Sequence, residues 1–568
     1  MSCTCFVALL AALTLKSSRQ VEGTIPEQFL AFSQDDSKIG FAYIDRYPTA
    51  SVTGMNPLED VSATQLDYDA FSQELLWADT NKGVISVDMI QGGHRRNIAE
   101  GFAELSAIAV DWVSRLIYFS DHLEEILGVA RLDGRYIKTL QESVAVSSIA
   151  LDPENGIMYW TDEKLISSND KARIVRSYMN GHMQPPPFQT FDDTTKVRGL
   201  ALQNSNTVYW AQYYSSFLSS GWTIKRKDTS SILATTVTTL TENTFYQMVL
   251  HSGFLYWVDG TTSVTTVESS GIDEQSANFY TSVAALTGVM VYNSTRQGGS
   301  NTCSSSSNCG QLCLPTPNYR VCACAYGNLQ ANGSCEAPED YLMVTTDTVI
   351  RAFDTNITKD RLNDVTAPRM IGSGAETLEY DQNTDTILYC DHMLGNLVGL
   401  EPDGSSRTLI RWMGTRVRGL AVDWSSDLIY YTDEETQSIN VVSRDGKKRA
   451  IILDLNGSSS PTEIVVDPES KMMFWLESYL LVHRIDKSPM TGIQSSDPVF
   501  PKSFAVSTSV NALAFSTHSK RLFWTSTNNY LVTETFTIES CDQAGNNVIV
   551  HADGSDSIAI PFGEVKVC

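Results

Sequence analysis

Gly419-Leu420-Ala421-Val422-Asp423, Trp424-Ser425-Ser426-Asp427, Leu428-Ile429-Tyr430-Tyr431-Thr432-Asp433 is the stretch whose reading decides the fold. Its first five residues are a short apolar run and its next four a turn. The last six are an aromatic and β-branched run suited to a half-buried pleat. Glu434 to Gln437 is a second turn. Ser438-Ile439-Asn440-Val441-Val442 then alternates toward Asp445-Gly446, a dipeptide that tolerates the positive φ of a tight hairpin, and Arg449-Ala450-Ile451-Ile452-Leu453 returns. The unit therefore reads as four strands.

Its closing phrase, Tyr430-Tyr431-Thr432-Asp433, recurs. Leu76-Trp77-Ala78-Asp79, Tyr118-Phe119-Ser120-Asp121, Tyr159-Trp160-Thr161-Asp162, Tyr209-Trp210-Ala211-Gln212 and Tyr256-Trp257-Val258-Asp259 form one set. Leu388-Tyr389-Cys390-Asp391, the starting phrase, Phe474-Trp475-Leu476-Glu477 and Phe523-Trp524-Thr525-Ser526 form another. The second slots are 42, 41, 50 and 47 residues apart in the first set and 42, 44 and 49 in the second. That period marks four-stranded propeller blades. The fold expected is all-β: a six-bladed propeller followed by a second, incomplete one. The phrase aromatics are expected to fill the space between blades, and the terminal Asp to tie its strand to a neighbouring loop.

Between the two sets lie Cys303, Cys309, Cys313, Cys322, Cys324 and Cys335, within 33 residues of Asn, Ser, Gly and Pro. Such a segment cannot bury a core without cross-links. Six cysteines allow fifteen pairings, and spacing alone does not choose among them. A zinc site is disfavoured, because the segment holds no His and Cys322-Ala323-Cys324 lacks the usual two-residue gap. The order Cys-x5-Cys-x3-Cys-x8-Cys-x-Cys-x10-Cys resembles an EGF-like module. That resemblance implies the pairs Cys303-Cys313, Cys309-Cys322 and Cys324-Cys335. No acidic run of the calcium-binding variety precedes Cys303.

Five phrases, the closing segment Gly288-Val289-Met290-Val291-Tyr292-Asn293-Ser294-Thr295-Arg296-Gln297, Asn308-Cys309-Gly310-Gln311-Leu312-Cys313-Leu314-Pro315 and a second set of phrases together resemble the low-density-lipoprotein receptor-related proteins. The Ser-Thr-Arg-Gln stretch and Phe29-Leu30-Ala31-Phe32-Ser33-Gln34 look most like the third and fourth propellers of the arrow-type Wnt co-receptors. Gln212, Cys390, Leu476-Glu477 and Ser526 depart from the family phrase and mark a divergent relative. The expected organisation is a signal peptide at 1–20, a six-bladed YWTD propeller at 25–298, an EGF-like module at 299–338 and a second YWTD propeller at 339–568. The sixth blade should join Phe29 to Asp45 with Leu286 to Tyr292, leaving no free edge. Ser557 to Cys568 runs like the approach to a further phrase and stops before it, so the second ring is expected to be truncated in its fifth blade with an exposed strand edge.

The composition suits an extracellular setting. The apolar run Phe6 to Leu15 is half the length a membrane span needs and reads as a signal peptide. Sequons stand at Asn293, Asn332, Asn356 and Asn456. A net charge of -25 argues against nucleic acid and anionic membrane as partners and favours a secreted basic protein. No stretch is long and apolar enough to contact or cross a membrane, so an anchored parent protein would carry its span elsewhere. Cys390 is expected to be a buried thiol, and Cys541 and Cys568 are candidates to pair.

Catalysis finds no footing. The eight histidines form no metal-ligand pair, and no nucleophile elbow or phosphate loop occurs. No enzyme activity, cofactor or metal is expected. Three function classes remain: a Wnt co-receptor ectodomain binding Wnts or Wnt antagonists, an endocytic lipoprotein or yolk receptor, and a nidogen-like matrix glycoprotein. For a receptor of the first kind the resemblance also implies a Mesd-type endoplasmic-reticulum chaperone. Loops after the phrases and before the inner strands should share one propeller face, the usual place for recognition on a rigid scaffold. Relatives often carry Trp just after the phrase Asp; here Thr80, His122, Glu163 and Gly260 stand there. The candidate ligand-face residues are His122, Glu163, Arg198, Tyr213 and Tyr246.

Overall fold

The computed structural model describes residues 25–554 and 565–567, apart from 36, 45–54, 101, 164–170, 192–195, 204, 216–218, 242–243, 273, 283, 305–307, 326, 337–340, 346–348, 355–363, 371–374, 392–393, 402–406, 415, 456–459, 480–481, 493–507 and 531–532. The signal peptide, Asn356, Asn456 and Cys568 lie outside the described residues.

Every phrase occupies the second strand of a sheet. In the blade that follows Phe102, strands Leu105–Asp111, Leu116–Asp121, Ile126–Arg131 and Lys138–Glu142 lie side by side in that order, all antiparallel. The phrase strand is buried along its whole length, because its two faces meet the cores on either side of the blade. Tyr118 and Trp160 lie in one core and Trp210 in the next, each essentially inaccessible. Several turns between the first and second strands use one device. Asp111 accepts hydrogen bonds from Val113 N and Ser114 N, and the fourth residue on, Arg115, takes φ 62° to bring the chain back. Asp381 and Asp423 open the same kind of turn, with Asp385 and Asp427 at φ 51° and 54°.

Five such sheets are followed by a closing one, in which Leu286–Asn293 is the inner strand and Gln28–Gln34, Lys38–Ala42 and Leu58–Glu59 lie outside it. Phe29 pairs with Tyr292 across the closure, and their rings stack at 4.7 Å. The expected joint blade is thus present; the short outer strand Leu58–Glu59 is an addition to it. The inner strands of all six blades pack in sequence around the ring.

The cysteine segment is stapled Cys303 to Cys313, Cys309 to Cys322 and Cys324 to Cys335. It sits on the face that carries the Asp111-type turns. Leu312, Leu314 and Ala325 enter the same core as Tyr118, Met158 and Met179. Asn301 Nδ2 donates to Ser114 Oγ and Pro153 O at 2.8 Å each, and Trp112 Nε1 donates to Gly298 O. Gly156, at φ 62°, lets the module's main chain approach: a Cβ there would stand 2.7 Å from Thr316 Cα.

The second set of phrases forms sheets of the same order, starting at Ala375, Val417, Ser460 and Thr508. A further sheet combines Tyr341–Thr345, Val349–Asp354, Asp364–Met370 and Val565–Val567, giving five among the described residues. This corrects one expectation. The last strand does not begin a phrase-bearing blade beside an open edge; Val565–Val567 pairs antiparallel with Tyr341–Thr345, on the side that Leu286–Asn293 takes against Gln28–Gln34. The physical reason is the unpaired row of donors and acceptors on the first strand of the set, which an extended Val-Lys-Val segment satisfies. Cys390 and Cys541 are buried thiols.

Candidate functional site

One carboxylate shows how the phrase-end face is assembled. Asp121 accepts hydrogen bonds from Ala103 N and Glu104 N, just before its blade's inner strand, and from Leu123 N and Glu124 N, just after the phrase. The two loops are therefore held side by side on a single face, opposite the one that seats the disulfide module. Asp162 does similar work with Ala145 N and the Arg173 guanidinium.

Blades are joined to one another by side-chain hydroxyls that donate to main-chain carbonyls in the next blade. Thr80 reaches Leu105 O, Ser106 reaches Val146 O, Ser147 reaches Val197 O, Thr287 reaches Ala63 O and Thr432 reaches Thr462 O. Each of these five hydroxyls finds a partner without disturbing the ladder hydrogen bonds, and the inner rim becomes stiff. Sequence reasoning assigned the ties to Asp alone and missed these. The signal for them is a Ser or Thr near the start of an inner strand or in the phrase.

Glu163, chosen as a ligand candidate, belongs to this fastening. Its Oε1 accepts from Val197 N at 2.8 Å, Ser147 Oγ at 3.2 Å and Arg198 Nη1 at 3.5 Å. The structure brings Glu163 and Arg198 together as a half-buried pair between adjacent blades. Tyr213 packs edge-on against Trp222 at 5.4 Å, which in turn meets Phe245. Its neighbour Tyr246 lies beside Gly260 and shares a core with Tyr256 and Val258. His122 stands apart from these four, on the blade of Asp121, where its main-chain N donates to Glu104 O. That rim carries the exposed groups: Glu104 is open to solvent, and Leu123 is 66% exposed beside it. Sequence reading singled out neither. Glu104 and Leu123 are held by the same Asp121, a proximity that spacing does not reveal.

In the first propeller two carboxyls with raised affinity for protons lie away from this face. Asp67 is enclosed between blades, with Val110 N and Tyr68 N as donors at 2.8 Å, and burial lifts its pKa to about 6. Asp111, in a turn on the opposite face, is lifted to about 6 by burial as well; its Oδ2 has no hydrogen-bond partner. Among the described residues no three His, Cys, Asp or Glu side chains stand together as a metal site. The phrase-end face carries exposed Glu104 and Leu123 on loops fastened by Asp121.

No family profile matches the chain. Low-density lipoprotein receptor-related protein 5 of Mus musculus is 24% identical over 564 residues, spanning both propeller sets and the disulfide module. The chain is similar to the low-density-lipoprotein receptor-related proteins. The alignment takes in 95% of this chain and 32% of the mouse protein, so the chain spans about a third of the length of the protein it matches. Two solved structures also resemble it. A nidogen–laminin complex is 18% identical with a TM-score of 0.39, covering 47% of the chain and 99% of its counterpart. A gluconolactonase from Xanthomonas campestris is 14% identical with a TM-score of 0.33, covering 40% and 78%.

Proposed function

We propose that the chain is the extracellular ligand-binding region of a low-density-lipoprotein-receptor-related cell-surface receptor, a Wnt co-receptor that binds secreted basic proteins, either Wnts or Wnt antagonists. The observation that carries this reading is the likeness to the mouse receptor-related protein across 95% of the chain, through propeller, disulfide module and second propeller alike. The acidic balance of -25 supports a basic ligand, since opposite charge speeds encounter and holds the complex in register. The phrase-end face is the docking surface, centred on the rim of Glu104, His122 and Leu123, with Arg198, Tyr213 and Tyr246 on later blades of the ring and Glu163 as a brace between blades. The protein performs no chemistry and takes no cofactor. It reaches the cell surface through the secretory pathway with a Mesd-type chaperone, within a single-pass parent.

The full chain, secreted and immobilised, should be titrated with Wnts and Wnt antagonists by interferometry at rising ionic strength. Saturable binding that weakens with salt and survives removal of divalent metal is the expected result. Binding to a lipoprotein particle or a laminin-type matrix protein, with none to Wnts or their antagonists, overturns it.

A further inference from the structure

The outer strands of the two rings share one geometry and carry different side chains. Seven of them contain a bulge, and the residue just before it holds the same register in each: Asn97, Thr139, Thr236 and Asn278 in the first ring, Leu409, Ile451 and Val550 in the second. The first set is polar, as suits a solvated edge. The second is apolar, and Leu409 and Ile451 are each 62% exposed.

Leu409 and Trp412 pair with Val398 and Asn396, two residues apart, so the bulge at Ile410 sets both on one side of the strand Arg407–Trp412. Trp412 is as exposed as Leu409. On the strand's other side Arg411 reaches the next blade, where its Nη1 donates to Gly446 O at 2.5 Å, and Gly446, at φ 71°, packs against Ile410 O. Gly446 lies in the hairpin that leads into Arg449–Asp454, the strand of Ile451. That hairpin is held by Ser443 N on Lys448 O at 2.9 Å, Gly446 N on Ser443 O at 2.7 Å and Lys448 N on Ser443 Oγ at 3.0 Å. Two adjacent blades therefore present Leu409, Trp412 and Ile451 around one fixed, charged turn.

Charge sets this flank apart from the rest of the chain. Arg444 lies 2.6 Å from Asp381 and 3.4 Å from Asp427, Lys447 lies 3.1 Å from Asp445, and Arg449 lies 3.8 Å from Asp433, with Arg411 and Lys448 beside them. Both signs are present in near balance, in a chain whose formal charge is -25. Two copies of so acidic a chain repel each other on most approaches. Here that repulsion is relieved. A surface with both signs beside Trp, Leu and Ile can match itself about a two-fold axis, Lys447 and Lys448 of one copy meeting Asp427 and Asp445 of the other. An anionic membrane or polymer would need a surplus of cations, which the carboxylates largely cancel.

We infer that this flank of the second ring is a self-association surface, through which two copies of the chain pair with Leu409, Trp412 and Ile451 at the centre and the charged hairpin at the rim. The contact is small, and its dissociation constant is on the order of micromolar. Because the net charges of the two copies oppose it, the pairing tightens as salt rises, the reverse of what a basic ligand on the phrase-end face should do. The sign of the salt effect thus separates this inference from the ligand reading.

The full chain, secreted and purified, is followed by sedimentation velocity over a range of concentrations at low, physiological and high salt. A reversible dimer that tightens with salt is the expected result. Trp412→Ser combined with Ile451→Ser removes one anchor from each blade and should raise the dissociation constant at least about tenfold, since a few central side chains carry most of such a contact. Leu409→Ser tests the same centre by itself and should act in the same direction. All three side chains are exposed, so the denaturation midpoint should stay unchanged in both variants. A single-chain mass at every concentration and salt overturns the inference, as does a dimer indifferent to both variants or one that loosens as salt rises. Retention on heparin, or on vesicles of phosphatidylcholine and phosphatidylserine, by a chain that stays single and loses it in the double variant overturns it in favour of a polyanion or a membrane.

Discussion

The side-chain amide of Gln247 closes two hydrogen bonds on the main chain of Leu66, accepting from its N–H at 3.0 Å and donating to its carbonyl at 2.8 Å. The same Oε1 accepts from Val289 N at 3.1 Å. One side chain of the fifth blade therefore grips both the closing strand and the first blade, two elements that meet only when the ring is complete. Gln247→Ala leaves a buried carbonyl and two N–H groups short of partners, and should cost about 2–4 kcal/mol in urea unfolding monitored by Trp fluorescence. Gln247→Glu keeps the acceptor and loses the donor, and should fall between the two. Equal stability of all three forms contradicts the clasp.

Asp67 and Asp111 set a pH dependence with a definite sign. Burial raises both from the ordinary 3.8 to about 6, so the folded chain binds their protons more tightly than the unfolded chain does. The stability they contribute is complete below about pH 4 and is lost as pH rises through about 6. Above that range each ionised group opposes folding by on the order of 1–3 kcal/mol. Asp111→Asn keeps an oxygen for Val113 N and Ser114 N and removes the charge. It should raise the denaturation midpoint at neutral pH and flatten its fall between pH 4 and 6. A steeper fall in the variant contradicts this.

At the module seam the sensitive residue is Gly156. Ala at that position would adopt φ 62° with its methyl against Thr316 and the Pro315 carbonyl carbon, both main chain. The cost of the backbone conformation alone is about 1 kcal/mol. The steric conflict adds to it by lifting Leu312 and Leu314 from their core. Limited proteolysis followed by mass spectrometry should find earlier cleavage within residues 299–338 in Gly156→Ala than in the parent.

The ligand rim and the brace beneath it should separate by measurement. Glu104→Lys with Leu123→Ala should slow association of a basic ligand and reduce its salt dependence while leaving the unfolding midpoint unchanged. Glu163→Ala should do the reverse, lowering the unfolding free energy by about 1–3 kcal/mol because Val197 N and Arg198 lose their acceptor. Association kinetics and chemical denaturation of the same preparations check both.

The strands were legible because each blade repeats a local rule: an apolar run, a four-residue turn and the aromatic phrase. The closing blade was legible because Phe29 and Tyr292 are apolar strand residues with no other sheet to join. A second repeat also stood in the sequence unread. Asp69, Asp111, Asp152, Asp381 and Asp423 each precede the phrase Asp by ten residues, and they cap the first turn. What sequence could not supply is contact between blades. Glu163 meets Val197 and Asp121 meets Ala103 through the ring's geometry, so a side chain that reads as a solvated loop residue proves to be a fastening. Val565–Val567 was misread for the same reason, since its partner, Tyr341–Thr345, lies more than two hundred residues away.

The closure also determines how the ring responds to being pulled. Gln28 and Asn293 are antiparallel partners at one end of the closing pair, and Ser294 N bonds Glu27 O beside them. Tension applied where the chain enters and leaves would open these bonds one after another, like a zip, and small forces suffice for that. Arg296, on Leu250 O, and Gln297, on Ala70 N and Tyr68 O, hold the exit to the fifth and first blades before the pull reaches the zip. The docked disulfide module extends the hold to the second and third blades. A tether drawn from the far side of the module thus loads four blades across their faces, and the seam that makes the ring is the last part to feel it.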